Sequence, residues 1–302
     1  MSAHLPLVSR LLRAYLRSSL RGCSRTTLML AARFPSLQEV PIQIADWSPV
    51  YMDLRHYDAH DWLKGTPWKD SPREVEEQQL LRRFVRPGDV VYDIGANIGL
   101  HAVLFSQLTG ATGKVLAFEP NRELLRALAK TIAGMPNASL FPVALAEANG
   151  SAELVVVEAD HSLSSLSDWT SRKENAPSLE RHRLICRLQR LDDLIAEQHL
   201  PAPDFIKCDV EGGELRVFQG ATVTLDRPDA PVILFEANAH TARGFGLPIS
   251  AAKDHLASLT KPCYRFWQAA NGRITALTIM DRVHSNILAI PEQRMSLWPD
   301  LG

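Results

Sequence analysis

Val90-Val-Tyr-Asp-Ile-Gly-Ala-Asn-Ile-Gly99 is the stretch that decides the fold, because an apolar run passes directly into a glycine loop. His101-Ala-Val-Leu-Phe105 then has helix-forming character, and Lys114-Val-Leu-Ala-Phe118 is a second apolar run. Strand, tight loop, helix and strand in this order predict a βαβ unit with parallel strands. Gly95 and Gly99 allow the backbone to turn sharply and to approach a ligand closely.

The acid after the second strand indicates what this loop binds. Glu119 is placed to accept hydrogen bonds from ribose hydroxyls. The dinucleotide pattern Gly-x-Gly-x-x-Gly is not met, because Asn97 and Leu100 occupy its second and third glycine positions. Asp93 would repel a phosphate but suits an ammonium group. The loop therefore favours S-adenosylmethionine over NAD or FAD, with a tight turn that binds no ligand as the alternative.

A third polar cluster, Asp204-Phe-Ile-Lys-Cys-Asp-Val-Glu-Gly-Gly-Glu214, follows another short apolar strand. In open α/β sheets, ligands bind beyond the carboxyl ends of the strands. We therefore expect this cluster to face the same ligand as the glycine loop.

With these motifs in place, the chain resembles the FkbM-type methyltransferases, a branch of the class I S-adenosylmethionine-dependent enzymes. The matching segments are Asp93–Gly99, Phe118–Pro120, Arg190–Leu194, Ile206–Gly212, Glu214 and Val232–Glu236. Gly213 departs from the pattern, since such enzymes more often carry alanine there. The resemblance implies an α/β fold with a Rossmann-like class I methyltransferase sheet. That sheet is mostly parallel, has seven strands with an antiparallel edge, and is flanked by helices.

The predicted cofactor site draws on three strand ends. Its residues surround the methionine end, the ribose and the adenine of S-adenosylmethionine: Asp93, Gly95, Asn97, Gly99, Glu119, Ala144 and Asp209.

Candidate catalytic residues follow from the reaction. Methyl transfer to oxygen is an in-line displacement on an activated donor, so the protein must align the acceptor and remove its proton. The candidate bases are Asp209, Glu211, Glu236 and His240, and the resemblance favours Asp209 and Glu211. With Glu236, these acids can instead hold a divalent cation that lowers the pKa of the acceptor hydroxyl. A purely structural pairing of Lys207 with Glu211 is the third interpretation.

Composition bounds the class of protein. The chain has 302 residues, 46% of them hydrophobic, and a net charge of −1, so overall electrostatics do not indicate a nucleic-acid partner. No Asn/Asp-Pro-Pro-Tyr/Phe motif of nucleic-acid methylation is present. No apolar run approaches the length of a membrane span. The four scattered cysteines are typical of reduced thiols, which predicts a cytoplasmic protein: Cys23, Cys186, Cys208 and Cys263.

The N-terminal segment differs from the rest of the chain. Residues 1–38 contain six arginines and no acid, and residues 1–36 are predicted to form a basic amphipathic helix. Such a helix can contact an anionic membrane on its cytoplasmic side, serve as an organelle presequence, or pack on the domain with its arginines in solvent. We expect residues 1–70 to form a helical, aromatic-rich extension and residues 71–302 the methyltransferase domain. Thr66, Trp68 and Lys69 are candidates for the acceptor pocket.

Further strands are expected at 140–145, 205–208 and 232–235. Residues 152–157 and 184–188 are expected to pair as an antiparallel extension of the sheet. Residues 264–267 and 287–290 are expected to form its antiparallel edge.

The function predicted is S-adenosylmethionine-dependent O-methylation of a hydroxyl on a sugar, glycolipid or polyketide-like natural product. A small-molecule or glycan acceptor is the expected partner, and the oligomeric state is left open. The alternatives are a degenerate methyltransferase-fold binding or scaffold protein and a Rossmann-type NAD(P) oxidoreductase. The last lacks support, because the chain has no Tyr-x-x-x-Lys pair.

Overall fold

The structure is a computed structural model that describes residues 7–18, 20–43, 48–65, 72–158, 160–172, 180–270, 273–280 and 283–301. The helices are α1 Leu7–Arg17, α2 Cys23–Arg33, α3 Tyr57–Lys64, α4 Pro72–Phe84, α5 Leu100–Thr109, α6 Leu125–Ala133, α7 Leu191–Gln198, α8 Glu214–Gln219, α9 Thr222–Leu225, α10 Ala239–Gly244 and α11 Ala251–Ser258. The strands are β1 Val40–Ile42, β2 Val50–Met52, β3 Val90–Ile94, β4 Lys114–Phe118, β5 Ala138–Phe141, β6 Ala144–Leu145, β7 Gly150–Val157, β8 Arg181–Gln189, β9 Phe205–Cys208, β10 Val232–Asn238, β11 Arg265–Ala270, β12 Arg273–Ala276 and β13 His284–Ile290.

A central sheet carries the fold, with strand order β12-β11-β13-β10-β9-β3-β4-β5. Strands β10, β9, β3, β4 and β5 are parallel, and β13, β11 and β12 pair antiparallel at one edge. This confirms the mostly parallel class I sheet with an antiparallel edge. The prediction of seven strands is short by one, because β12 adds a hairpin strand to β11.

A smaller sheet with order β6-β8-β7 stands beside the central one. Strands β7 and β8 pair antiparallel, as the sequence predicts, but they pair outside the central sheet. The single strand expected at 140–145 is wrong. Pro142 has no backbone N–H to donate to a ladder, and the segment divides there into β5 and β6, which belong to different sheets.

Both faces of the central sheet are buried, as is usual for a parallel sheet. Along β3, Val91 points into one apolar cluster together with Phe105, whereas Tyr92 and Ile94 point into another. Leu12 of α1 belongs to the cluster that contains Val91, so the N-terminal helices pack on the same face of the sheet as α5.

The basic N-terminal segment forms two helices rather than the single helix predicted. Gly22 adopts a left-handed backbone, with φ of 82°, immediately before α2. Such a conformation interrupts a right-handed helix and is most accessible to glycine. Residues 1–6 and 19 of this segment lie outside the described residues, as do Thr66, Trp68 and Lys69. The boundary between residues 70 and 71 stays a prediction.

In the part of the chain that the structure describes, none of the helices is long and apolar enough to cross a membrane.

Candidate active site

A cavity of about 520 Å³ opens at the carboxyl ends of β3, β4 and β9. Its volume lies in the range typical of small-molecule sites. The parallel strands bring three motifs that are distant in sequence to one edge of the sheet. The cavity lining includes six of the predicted site residues: Gly95, Asn97, Glu119, Ala144, Asp209 and Glu211.

The glycine loop has the backbone that the sequence predicts. Gly95 and Gly99 have φ of 86° and 85°, and Asn97 has φ of 51° in the same left-handed region. A Cβ atom at Gly95 would lie 1.9 Å from the backbone carbonyl oxygen of Asp209. Residue 95 must therefore be glycine for two reasons. Its φ is positive, and the loop that carries Asp209 touches it so closely that no side chain fits between them.

Glu119 holds this loop in place while also lining the cavity. Its Oε2 accepts a hydrogen bond from the backbone N–H of Asn97, and its Oε1 accepts one from the backbone N–H of Asn121, both at 2.8 Å. Burial raises the pKa of Glu119 to about 7, and these two hydrogen bonds act in the opposite direction. Each carboxylate oxygen keeps a further lone pair for a ligand hydroxyl.

A chain of charged groups lies beneath the loop. Asp93 and Lys207 are direct neighbours on β3 and β9, and the Lys207 Nζ lies 2.9 Å from Asp209 Oδ2 and 3.5 Å from Glu77 Oε1. Glu77 in turn lies 3.2 Å from the His101 Nε2. The alternative in which Lys207 pairs with Glu211 is therefore wrong, because the lysine pairs with Asp209 and Glu77.

The pKa values of Asp93 and Lys207 depend on their burial and on the three acids that surround the Lys207 ammonium group. Burial raises the pKa of Asp93 to about 7, although the Lys207 ammonium lowers it. Burial by itself would lower the pKa of Lys207, but Asp209, Glu77 and Asp93 outweigh that effect and raise it. Lys207 therefore stays charged.

The loop between β9 and α8, which carries Glu211, contains two residues with left-handed backbone conformations. Glu211 adopts φ of 55° and Gly212 φ of 96°. Glu214, the first residue of α8, accepts hydrogen bonds from the backbone N–H groups of Val210 and Gly212. Burial raises the pKa of Glu214 to about 8. Non-glycine residues held in left-handed conformations occur often at functional sites.

The three candidate metal ligands do lie together. Oxygen atoms of Asp209, Glu211 and Glu236 are within 4.8 Å of one another. Two of these acids already have cationic or histidine partners, since Lys207 pairs with Asp209 and the His284 Nε2 lies 2.5 Å from Glu236 Oε1. The arrangement by itself does not call for a cation, because acidic groups often cluster without one.

Four of the predicted residues do not line the cavity, and one of them is Glu236 of β10, which pairs with His284. Asp93 is buried behind the loop, and Gly99 packs against Leu128 of α6. His240 is exposed near the start of α10, so its position just after a strand does not bring it to the cavity.

Other residues that line the cavity come from outside the strand-end motifs. Tyr57, Asp61 and Trp62 of α3 form part of the wall, although the sequence places them in an aromatic-rich segment that favours core packing. Asp160 and the segment from His161 to Leu166 cover another side of the cavity. That segment is held by a hydrogen bond from Ser165 Oγ to the carbonyl oxygen of Glu211, at 2.8 Å.

Two buried polar atoms test whether the cavity suits a polar ligand. The Asn97 Oδ1 and the Ser164 Oγ belong to lining residues, and neither has a hydrogen-bond partner among the described residues. Buried polar atoms without partners are rare and point to a missing ligand or water. Together with the free lone pairs of Glu119, they fit a ligand such as S-adenosylmethionine, whose ribose and amino-acid parts hydrogen-bond.

The mostly parallel sheet and the glycine loop opposite an acid agree with the arrangement that the sequence motifs predict. Residues 93–266 match the Methyltransferase FkbM domain, which is more than half of the chain. The chain therefore belongs to the FkbM methyltransferase family, as the sequence motifs indicate.

Similar proteins include two curated methyltransferases. The chain is 24% identical over 200 residues to the hexuronic acid methyltransferase AglP of Haloferax volcanii, covering 63% of this chain and 75% of that protein. It is 26% identical over 157 residues to the 2-O-methyltransferase NoeI of Sinorhizobium fredii, covering 50% of this chain and 64% of that protein. Among solved structures, the O-methyltransferase TomG of Streptomyces achromogenes aligns with a TM-score of 0.44 and 12% identity, over 89% of this chain and 98% of that one.

Proposed function

We propose that the protein transfers a methyl group from S-adenosylmethionine to a hydroxyl of a sugar or a sugar-bearing small molecule. The observation that carries the proposal is the single cavity wall where Glu119, the glycine loop and Asp209 meet. The name of one relative, a hexuronic acid methyltransferase, supports a sugar acceptor, and the name of the other, a 2-O-methyltransferase, supports transfer to oxygen.

The binding of the cofactor is assigned to the loop and to Glu119. Glu119 would accept hydrogen bonds from the ribose hydroxyls, and Asn97 would offer its Oδ1 acceptor toward the methionine end. Ala144 would lie against the adenine. When bound, S-adenosylmethionine supplies a methyl group that a sulfonium centre has already activated. The protein then has to align the acceptor oxygen and accept its proton.

Asp209 is the residue best placed to accept that proton. It lines the cavity at a strand end, and its Oδ2 lies 2.9 Å from the Lys207 Nζ, which fixes the orientation of the carboxylate. Glu211 lines the same wall and is the second candidate. A divalent cation is not needed in this scheme, because Lys207 already supplies a positive charge next to Asp209.

The acceptor is assigned to the wall formed by α3 and the segment from residue 160 to 166. Tyr57 and Trp62 offer aromatic faces, against which the C–H groups of a sugar ring can pack. Asp61 and Asp160 add carboxylates, which accept hydrogen bonds from hydroxyl groups. A cavity that combines aromatic faces with a few carboxylates is suited to a polyhydroxylated ring.

The decisive assay is methyl transfer from isotopically labelled S-adenosylmethionine to a panel of neutral sugars, uronic acids and their glycosides. The proposal predicts label in an alkali-stable methyl ether. Asp209→Asn should lower the rate, whereas Asp254→Asn, on the exposed side of α11, should leave it unchanged.

Label found only as an alkali-labile methyl ester, or only on nitrogen acceptors, would contradict the proposed reaction. Protein that binds S-adenosylhomocysteine but labels no member of the panel would favour the scaffold alternative. A cytoplasmic location, expected from the scattered thiols, remains a separate proposal.

A further inference from the structure

The distribution of charge along the chain is strongly uneven. Residues 1–38 carry six arginines and no acid. Since the whole chain has a net charge of −1 and this segment contributes +6, residues 39–302 together carry −7. The N-terminal segment is therefore positively charged in an otherwise acidic chain, and such a segment attracts an anionic partner.

The outward side of α1 is apolar as well as basic. Leu12 and Leu16 are buried against the core of the protein. On the opposite side of the helix, Leu7 is 68% exposed and Leu11 is 63% exposed, and Arg10 is exposed beside them. A helix that packs one apolar side on its own protein normally presents polar residues on the other side.

Helix α2 repeats this arrangement. Thr27 and Ala31 are buried, whereas the outward side carries Met29, which is 69% exposed, between the exposed Arg25 and Arg33. The two neighbouring helices thus each present an outward side in which exposed large apolar side chains alternate with guanidinium groups. We call these two sides together the basic apolar face, and define it by Leu7, Arg10, Leu11, Arg25, Met29 and Arg33.

We infer that the basic apolar face docks on an anionic lipid bilayer. The arginines complement acidic headgroups, and the leucines and methionine can enter the boundary between headgroups and acyl chains. A nucleic acid would satisfy the arginines but would leave the apolar side chains in water. Large exposed apolar side chains gathered on one surface mark a binding site more often than an inert surface.

The docking face is coupled to the cavity through one helix. Helix α1 packs on α3, and the Arg17 Nε donates a hydrogen bond to the carbonyl oxygen of Lys64 at 2.6 Å. Tyr57 and Trp62 of the same helix α3 line the cavity. A docked protein would therefore hold one wall of its cavity a single helix away from the lipid surface. The inference about docking does not depend on the proposed activity.

The test is sedimentation of the full-length protein with phosphatidylcholine vesicles, with and without about 30 mol% phosphatidylglycerol. The protein should bind only the anionic vesicles, and about 1 M salt should release most of it. L7S/L11S should weaken partitioning about tenfold or more, because two apolar side chains no longer insert. R10Q/R25Q should weaken it about fivefold for each arginine removed.

The matched control is V223S/I279S, which removes two apolar side chains that are 75% and 73% exposed outside the N-terminal helices. This variant should bind vesicles as the unchanged protein does. All variants should retain the same affinity for S-adenosylhomocysteine and the same thermal midpoint, which shows that they fold.

Three results would overturn the inference. The first is folded protein that ignores anionic vesicles, and the second is equal binding to neutral ones. The third is a dimer in solution that L7S/L11S converts to a monomer, because the face would then be an interface between two copies of the chain.

Discussion

Glu119→Gln is the substitution that tests the cofactor site most sharply. The carboxylate of Glu119 is 6% exposed and accepts one backbone hydrogen bond on each oxygen, at 2.8 Å. Glutamine has nearly the same size but places an NH₂ donor where one of these acceptors stood. At least one charge-assisted hydrogen bond, to the loop or to the ribose, is then lost.

A hydrogen bond to a charged group contributes about 1.5–3 kcal/mol. Its loss should therefore raise the Kd for S-adenosylhomocysteine by roughly tenfold to hundredfold. Glu123→Gln is the matched control. Glu123 lies four residues further along, pairs with His182 at 3.1 Å and is not among the residues that line the cavity.

The same residue predicts a pH dependence. Burial raises the pKa of Glu119 to about 7, and ribose hydroxyls donate to its ionised form. The ionised fraction rises from about 0.1 at pH 6 to about 0.9 at pH 8, so affinity should rise about tenfold over that range. The stability of the ligand-free protein should change with pH in the opposite direction, falling where the affinity rises. An acid whose folded pKa exceeds its unfolded value of 4.5 makes folding less favourable as pH rises toward 7.

Calorimetric titrations at pH 6, 7 and 8 measure the affinity, and urea denaturation of the ligand-free protein at the same pH values measures the stability. In Glu119→Gln the affinity should be lower and its pH dependence weaker, with the remainder due to Asp93, whose pKa burial also raises to about 7. Unchanged affinity and an unchanged pH profile in this variant would refute the ribose assignment. An equal loss in Glu123→Gln would show that the effect is not specific to the cavity.

Three further substitutions probe the loop and the charges beneath it. Gly95→Ala should lower the free energy of unfolding by about 2 kcal/mol or more in urea denaturation, because its Cβ would strike the backbone of Asp209. The matched control is Gly22→Ala, where the backbone is left-handed (φ 82°, ψ 2°) and the added Cβ has open space around it; it should lower the free energy of unfolding by only about 1 kcal/mol, and equal losses would contradict the contact argument. Asp209→Asn should lower kcat by about hundredfold while changing the Kd for S-adenosylhomocysteine by less than about tenfold, and full steady-state activity would make Asp209 structural. Lys207→Met should lower the free energy of unfolding by about 3–5 kcal/mol, and by more at pH 8 than at pH 5, because the buried Asp93 then ionises without a nearby cation. A loss that does not grow with pH would mean that Lys207 acts by packing alone.

The parts of the fold that sequence predicts well are local. The strand expected at 205–208 is β9 without change, and the strand expected at 232–235 lies within β10. Each is a short apolar run that ends in acids, and the geometry of parallel strands then gathers those acids at one edge. The loop, Glu119 and Asp209 could therefore be assembled from sequence without knowing the rest of the chain.

The sequence pattern does not predict the breaks within a strand and within a helix, because at each break a single residue outweighs the surrounding pattern. Pro142 ends β5, and the short strand after it joins another sheet. The left-handed Gly22 separates two helices where the arginine spacing alone suggests one. Both signals are present in the sequence, as a proline within an apolar run and a glycine within a basic one.

The remaining site residues depend on tertiary packing. Glu77 reaches Lys207 from α4, and Trp62 reaches the cavity from α3, although both lie far from the motifs in sequence. Nothing in their local sequence marks these contacts, since an acid in a helix and an aromatic in a mixed segment have ordinary structural roles. His240 shows the converse, because a residue just after a strand can still turn outward with the following helix.

The measurement that tests the account most directly is calorimetric titration of the purified protein with S-adenosylhomocysteine, with NADH titrated in parallel. The account predicts saturable binding of S-adenosylhomocysteine and none of NADH. Well-folded protein that binds no S-adenosylhomocysteine, or that binds NADH instead, would contradict it.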